Sequence, residues 1–340
     1  MTRTSDPTPA VPADEHAIES ELVEFRAAFG KMQSRLQEII VGQEQIVRGV
    51  LMSIFLQGHV LLEGVPGLGK TLLVTTIGDV LGLRASRIQF TPDLMPADII
   101  GTRVIKQEPS GAMQFEFERG PVFTQVLLAD EINRATPKTQ SALLEAMQER
   151  HVTVAGVGHP LPQPFVVLAT QNPLESEGTY PLPEAQLDRF MFKLLVRFPT
   201  ELELVEIMKR TTGATATRAK PLVDSSQRIL RWAMLLRRVP IGTAMLNYGA
   251  RILLATHAGV GKTAGPARHV RCGASPRGLQ AMVLAAKLRA VLAGRFTVAR
   301  EDLKESAKPC LRHRILLTFE AEAEGITTDQ VVDEVLQRVE

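Results

Sequence analysis

His59-Val60-Leu61-Leu62-Glu63-Gly64-Val65-Pro66-Gly67-Leu68-Gly69-Lys70-Thr71-Leu72-Leu73-Val74 places an apolar run, a glycine-rich loop and a second apolar run in direct succession. Strand, loop, GKT and helix is the layout of a phosphate-binding P-loop. The glycines let successive backbone amides turn inward on an anion, and the helix that follows adds its positive N-terminal end. Gly64, Val65, Pro66, Gly67, Leu68, Gly69, Lys70, Thr71 and Leu72 are therefore candidates to hold a nucleoside triphosphate. Lys70 would reach the β- and γ-phosphates and the Thr71 hydroxyl would hold Mg²⁺. The alternative is a glycine-rich surface turn, which lacks an apolar run on both sides. The chain carries its own comparison in Gly259-Val260-Gly261-Lys262-Thr263. There Thr256 replaces the first glycine, His257 and Pro266 flank the stretch, and no strand leads in, so it reads as a mobile loop.

Val126-Leu127-Leu128-Ala129-Asp130-Glu131 is an apolar strand ending in two carboxylates. Such an end lies on the rim where parallel sheets bind ligands. Asp130 can hold Mg²⁺ through its water shell, and Glu131 is placed to polarise a water for attack on a γ-phosphate. An acidic turn is the plainer reading, and the P-loop upstream argues against it. Phe165-Val166-Val167-Leu168-Ala169-Thr170-Gln171-Asn172-Pro173 is a further buried strand with a polar end. Asn172 there could orient the attacking water; alone, an Asn before Pro is a turn former. Thr136-Pro137 starts a helix with Thr as N-cap and Pro at its first position. Leu187-Asp188-Arg189-Phe190 reads as an Asp–Arg surface pair, and Ser275-Pro276-Arg277-Gly278 as a capped helix start with an exposed Arg.

The chain has 340 residues, long enough for two domains, and 45% of them are apolar, enough for a sizeable core. A net charge of +2, without a basic tail, argues against nucleic acid as the main partner. Cys272 and Cys310, isolated from each other, suit a reducing compartment and no zinc site. The first residues lack the apolar core of a signal peptide, and the longest apolar stretch is broken by Gln57-Gly58-His59, so a cytoplasmic protein without a membrane span is expected.

Residues 1–15 hold three prolines, and 1–16 are read as a disordered tail. Short apolar runs at His59–Leu62, Arg87–Phe90, Gln125–Ala129, Phe165–Ala169 and Lys193–Phe198 alternate with helical segments. That is the pattern of a parallel α/β sheet, expected over 17–200. From 201 to 340 only helical periodicity is apparent, so the second domain is expected to be all-helical. Turn residues inside 98–120 and 151–165 mark two hairpins.

Taken together these residues resemble an AAA+ ATPase, and more narrowly the MoxR family. The resemblance rests on Gly64–Thr71, Arg119–Phe123, Ala129–Gln140, Leu143–Glu149, Ala169–Pro173, Leu187–Phe190 and Gly273–Arg277, and spans roughly residues 40–315. It implies a five-stranded αβα nucleotide domain with a helical lid, assembled as a homo-oligomeric ring, usually a hexamer, that binds ATP and Mg²⁺ between subunits. Lys70, Thr71, Asp130, Glu131 and Asn172 would act within one subunit. Arg189 matches an arginine finger directed at the neighbouring subunit's ATP, and Arg277 the lid arginine that senses the γ-phosphate. Val41-Gly42-Gln43 matches the segment against the adenine, and Arg134 belongs to the family block without an assigned role. The hairpins correspond to insertions that face the pore or the substrate in related rings. The stretch 258–271 is longer than the family pattern. The implied function is ATP-driven, chaperone-like remodelling, assembly or metal insertion of a protein substrate, with a von Willebrand factor type A domain partner. The alternatives are a slow nucleotide-controlled scaffold and a DNA-linked motor; near-neutral charge weighs against the motor.

Overall fold

The computed structural model describes residues 14–65, 67–107, 113–172, 178–212, 220–223, 225–257 and 266–339. The GKT-like stretch 259–263, the tip of the first hairpin, Pro66 and most of the expected tail lie outside the described residues. Asp14 accepts a hydrogen bond from the His16 amide and starts α1 (Glu15–Gln37), so the helix takes in the last two residues read as tail. Next come α2 (Glu44–Phe55), β1 (Val60–Glu63), α3 (Lys70–Leu81) and β2 (Ala85–Gln89). A short α4 (Pro96–Ile100) leads into the hairpin β3 (Gly101–Gln107) and β4 (Met113–Arg119). Then β5 (Val126–Asp130), α5 (Pro137–Glu149) and a second hairpin, β6 (His151–Val154) and β7 (Val157–Pro160), follow. The first unit closes with β8 (Val166–Gln171), α6 (Glu184–Leu187) and β9 (Phe192–Leu195).

Five strands form the expected parallel sheet in the order β2-β5-β8-β1-β9. Alternate residues of each strand enter opposite cores. Val60, Leu62, Val126, Leu128, Val166 and Leu168 face α1, α2 and α3. Leu61, Leu127, Ala129, Val167 and Ala169 face α5 with its Leu143, Leu144 and Met147. Both faces are dry, which is why the strands read as unbroken apolar runs.

The second unit contains α7 (Glu201–Thr211), α8 (Ser226–Arg238), α9 (Thr243–Ala255), α10 (Pro276–Leu292), α11 (Arg300–Leu311), α12 (Phe319–Ala323) and α13 (Thr328–Arg338). Thr200 and Glu203 form a reciprocal capping box on α7, and Ser275 caps α10 with Pro276 in the first turn. At α5, Thr136 occupies the cap position as expected, but its hydroxyl meets that of Thr139 at 3.3 Å rather than a backbone amide. One lid element escapes helical periodicity: an antiparallel ribbon of β10 (Val270–Cys272) and β11 (Leu316–Leu317). Two and three residues are too few to show a period.

The two units share a core. Phe25 of α1 packs its ring on Phe55 of α2 (centroids 5.0 Å) and on Trp232 of α8 (5.5 Å), all edge-to-face. Arg231 of α8 adds an ion pair to Glu21 of α1, its Nε 2.9 Å from Glu21 Oε2. The helix that precedes the sheet is therefore also the seat of the lid. No described helix is long and apolar enough to cross a membrane.

Candidate functional site

The loop between β1 and α3 turns on Gly67 (φ 81°) and Gly69 (φ 75°). A Cβ at either would meet no neighbour, so the demand for glycine there is conformational, not steric. Lys70 opens α3 and folds back across the loop, its Nζ 2.7 Å from the Gly64 carbonyl oxygen. Burial pushes the Lys70 ammonium below its usual pKa, and the charges of Asp130 and Glu131 oppose that shift. Gly67, Gly69, Lys70, Thr71, Arg87, Gln89, Asp130, Glu131 and Asn172 line one cavity of about 240 Å³. It lies at the carboxyl ends of β1, β5 and β8.

The acidic pair is fixed by its neighbours. Thr170 at the end of β8 donates its hydroxyl to Asp130 Oδ1 (2.7 Å) and accepts the Glu131 amide (2.8 Å). Arg87 on β2 donates Nη2 to Asp130 Oδ2 at 2.7 Å. Glu131 sits in the left-handed region (φ 57°, ψ 50°), where the chain leaves the strand. Its Oε2 accepts from Gln89 Nε2 (2.8 Å) and from Arg134 Nη1 (3.0 Å). Gln140 of α5 clamps the turn beyond, donating Nε2 to the carbonyls of Ile132, Ala135 and Tyr180. A hydroxyl and a carboxylate are hard oxygen ligands suited to Mg²⁺, and Thr71 and Asp130 meet here beside the ammonium that would face phosphates. These residues fit a triphosphate with its metal.

Beside the loop lies an apolar niche formed by Ile40, Gln43, Ile46, Leu62, Leu68, Leu73 and Val196. It holds about 20 Å³, room for little more than one water, so a base enters only if these side chains move. Of Val41-Gly42-Gln43, only Gln43 lines it, tied by Nε2 to the Arg197 carbonyl at 2.8 Å. Gly42 supports the turn: its φ is +65°, and a Cβ there would lie 2.4 Å from Glu203 Oε1.

Arg189 and Arg277 stand elsewhere. Both line a second cavity of about 420 Å³ with Gln57, His59, Met147, Arg150, Asp188, Met191 and Arg314. His59 precedes β1 and Met191 precedes β9, so this cavity is at the amino ends of the same strands. A four-residue strand separates the two ends by roughly 13 Å. Arg189 Nη1 donates to the Leu144 carbonyl (2.7 Å), while its buried Nε has no acceptor among the described residues. The expected surface pair of Asp188 with Arg189 does not form. Asp188 pairs with Arg314 (2.8 Å) and approaches Arg277 (3.7 Å) instead. Four arginines thus share a cavity with one carboxylate.

The model for the ATPase family associated with various cellular activities (AAA) matches residues 59–192, and that for the AAA lid domain matches 266–335. Chaperone MoxR1 of Mycobacterium tuberculosis is 46% identical over 305 residues, covering 89% of this chain and 80% of that protein. This chain belongs to the MoxR family of AAA+ ATPases. Protein MoxR of Paracoccus denitrificans is 32% identical over 321 residues, 88% of this chain and 92% of that one. The crystal structure of a protein named a putative ATPase, from Cytophaga hutchinsonii, superposes with a TM-score of 0.87 at 40% identity over 96% of this chain and 98% of that chain.

Arg87 and Gln89, which line the pocket, and the buried Thr170, which holds the acidic pair from behind, are given no such role by the sequence. All three reach the acidic pair through strand register, Gln89 lying opposite Asp130 in the β2–β5 ladder. Their signal in the sequence is a polar side chain near a strand end, level with or near Asp130 in the register. His59, in the wall of the second cavity, is buried. The Val167 amide donates to its Nδ1 (3.0 Å), so the ring is neutral with Nε2–H donating to the Met147 carbonyl (3.1 Å). Burial pushes its pKa from 6.5 to about 4. Between those values only the unfolded chain binds this proton, so acid draws the equilibrium toward unfolding. The stability present above pH 6.5 is expected to fall by about 3 kcal/mol on approaching pH 4 from this residue alone. Denaturant titrations across that range test it: His59→Gln should flatten this part of the profile.

Proposed function

We propose that this chain is an oligomeric, ring-forming ATPase that couples ATP hydrolysis to chaperone-like remodelling of a protein substrate. The observation that carries the reading is the separation of two complementary half-sites. One end of the sheet holds the P-loop, Lys70 and the carboxylates; the other holds an arginine-rich cavity with Arg189 and Arg277. An arginine cluster that cannot reach its own triphosphate is suited to that of a neighbouring copy. Lys70 and the loop amides would bind the phosphates, and Thr71 and Asp130 would hold Mg²⁺, which would supply charge neutralisation on the phosphate oxygens. Glu131 accepts the proton of the attacking water, and Asn172 helps to orient that water. Arg189 and Arg277 of the next copy offset the charge that develops on the γ-phosphoryl oxygens.

The substrate class is suggested by the β3–β4 hairpin, which leaves Ile105, Met113 and Phe115 at 59%, 76% and 60% exposure. Exposed apolar patches of this kind mark protein-binding surfaces. MoxR1 is named a chaperone, and we extend that role to this chain, with metal insertion and a von Willebrand factor type A partner as its narrower forms. One observation favours a slower, switch-like regulator: Glu131 is engaged by Gln89 and Arg134, which holds it back from a water. Turnover of purified protein, with particle mass measured with and without ATP, tests both readings. Lys70→Ala should abolish ATP binding and assembly of that variant alone, while ATP-loaded copies still take it into mixed rings. Wild-type rings with negligible turnover would favour the switch, and ATP binding that survives Lys70→Ala would sink the site.

A further inference from the structure

Three consecutive lid residues grip the segment that carries Arg189. Arg312 Nη1 donates to the Lys193 carbonyl (3.2 Å) and His313 Nε2 to that of Phe190 (2.9 Å). Arg314, whose side chain is 3% exposed, donates Nε to Asp188 Oδ1 (2.8 Å) and Nη2 to the carbonyls of Asp188 (2.9 Å) and Phe190 (2.7 Å). From the start of α10, Ser275 donates its hydroxyl to the same Asp188 oxygen at 2.7 Å. Arg277, two residues on, faces the other one at 3.7 Å. Among the described residues, Asp188 is therefore the one anion between two lid arginines, on the residue next to Arg189.

We propose that Asp188 and Arg314 form a latch that locks the lid to the Arg189 segment and sets Arg189 and Arg277 side by side for a neighbouring copy. Asp188 and Arg314 are positioning residues; they touch no reacting atom. The buried Arg314 guanidinium spends Nε and Nη2 on this one short segment, while Nη1 donates to the Cys310 carbonyl of α11 and, at 3.4 Å, to that of Met191; this ties segment to lid in a single geometry, since losing a partner strands a buried charge. The carboxylate also relieves the repulsion that would push Arg277 away from Arg314. Without it the two cationic side chains facing the neighbour lose their common support, and a displacement of about 1 Å in such a group can cost about 10²-fold in rate. The inference rests on the shared-site reading above.

The test uses full-length protein and mixed rings. Asp188→Asn alone should lower ATP turnover about 10²-fold while its own nucleotide affinity changes by less than about threefold. Mixing it with Lys70→Ala copies, themselves inactive, should restore turnover above the sum of the two. At the restored junction the Lys70→Ala copy supplies an intact latch to the intact P-loop of its partner. A mixture of Arg189→Ala with Lys70→Ala is the control. Recovery in the control but not with Asp188→Asn overturns the latch, because Asp188 would then serve its own subunit's site or fold. Wild-type turnover in Asp188→Asn also overturns it. Failure of the control overturns the shared site and the latch with it. If thermal melting shows Asp188→Asn unfolded, Ser275→Ala takes its place in the same mixtures, with a smaller loss and the same recovery expected.

Discussion

Glu131→Gln is expected to bind ATP, assemble as wild type and turn over about 10²- to 10⁴-fold more slowly, which is the range for loss of a positioned general base. Gln preserves the shape and can still accept one hydrogen bond, from Gln89 or Arg134, at the place of Oε2. It cannot take a proton. The backbone that presents it is also unaffected: the left-handed turn at Glu131 is fixed by its amide on Thr170 and by Gln140 beneath, neither of which touches the carboxylate. A loss of nucleotide affinity alongside turnover would mean that Glu131 shapes the pocket rather than the chemistry. Equal turnover would remove it from the mechanism. Measured kcat against Kd for ATP separates the three outcomes.

The parts of this site that could be read from the sequence are those where chemistry and chain direction coincide. Gly64 to Thr71 follows its strand and starts its helix covalently, so the loop needs no tertiary information. Asp130, Glu131 and Asn172 lie at the ends of apolar runs, and in a parallel sheet such ends converge. Arg87 and Thr170 were invisible because their roles depend on which strands are neighbours: β5 lies between β2 and β8, and nothing local to either residue says so. Arg277 was harder still. Its resemblance to a γ-phosphate sensor gave it a partner but no place. The structure stands it beside Arg189 through Asp188 and Arg314, which are 126 residues apart in sequence. Of the segment expected against the adenine, Gln43 lines the apolar niche beside the loop, whereas Gly42 is glycine because of its turn and the Glu203 side chain that a Cβ would meet.

Arg189→Ala is expected to leave ATP binding nearly intact and to lower turnover by about 10³-fold or more, the scale of an arginine that stabilises phosphoryl-transfer charge from outside. The asymmetry follows from position. Arg189 lies at the amino ends of the strands, and the loop that binds its own subunit's phosphates is at their carboxyl ends. Truncating it removes one bond to the Leu144 carbonyl and relieves a buried Nε that has no acceptor among the described residues, so the cost to folding should be small. Two readouts sharpen the result. Turnover of the wild type should rise faster than linearly with protein concentration if, as proposed, a P-loop is complete only when a second copy supplies its arginine; the variant should stay flat at every concentration. Equimolar mixing with Lys70→Ala should then return activity at the junctions where an intact arginine meets an intact loop. Turnover that survives the substitution, or wild-type turnover strictly proportional to concentration down to the monomer, would confine the whole reaction to one chain and leave the arginine cavity without a part in it.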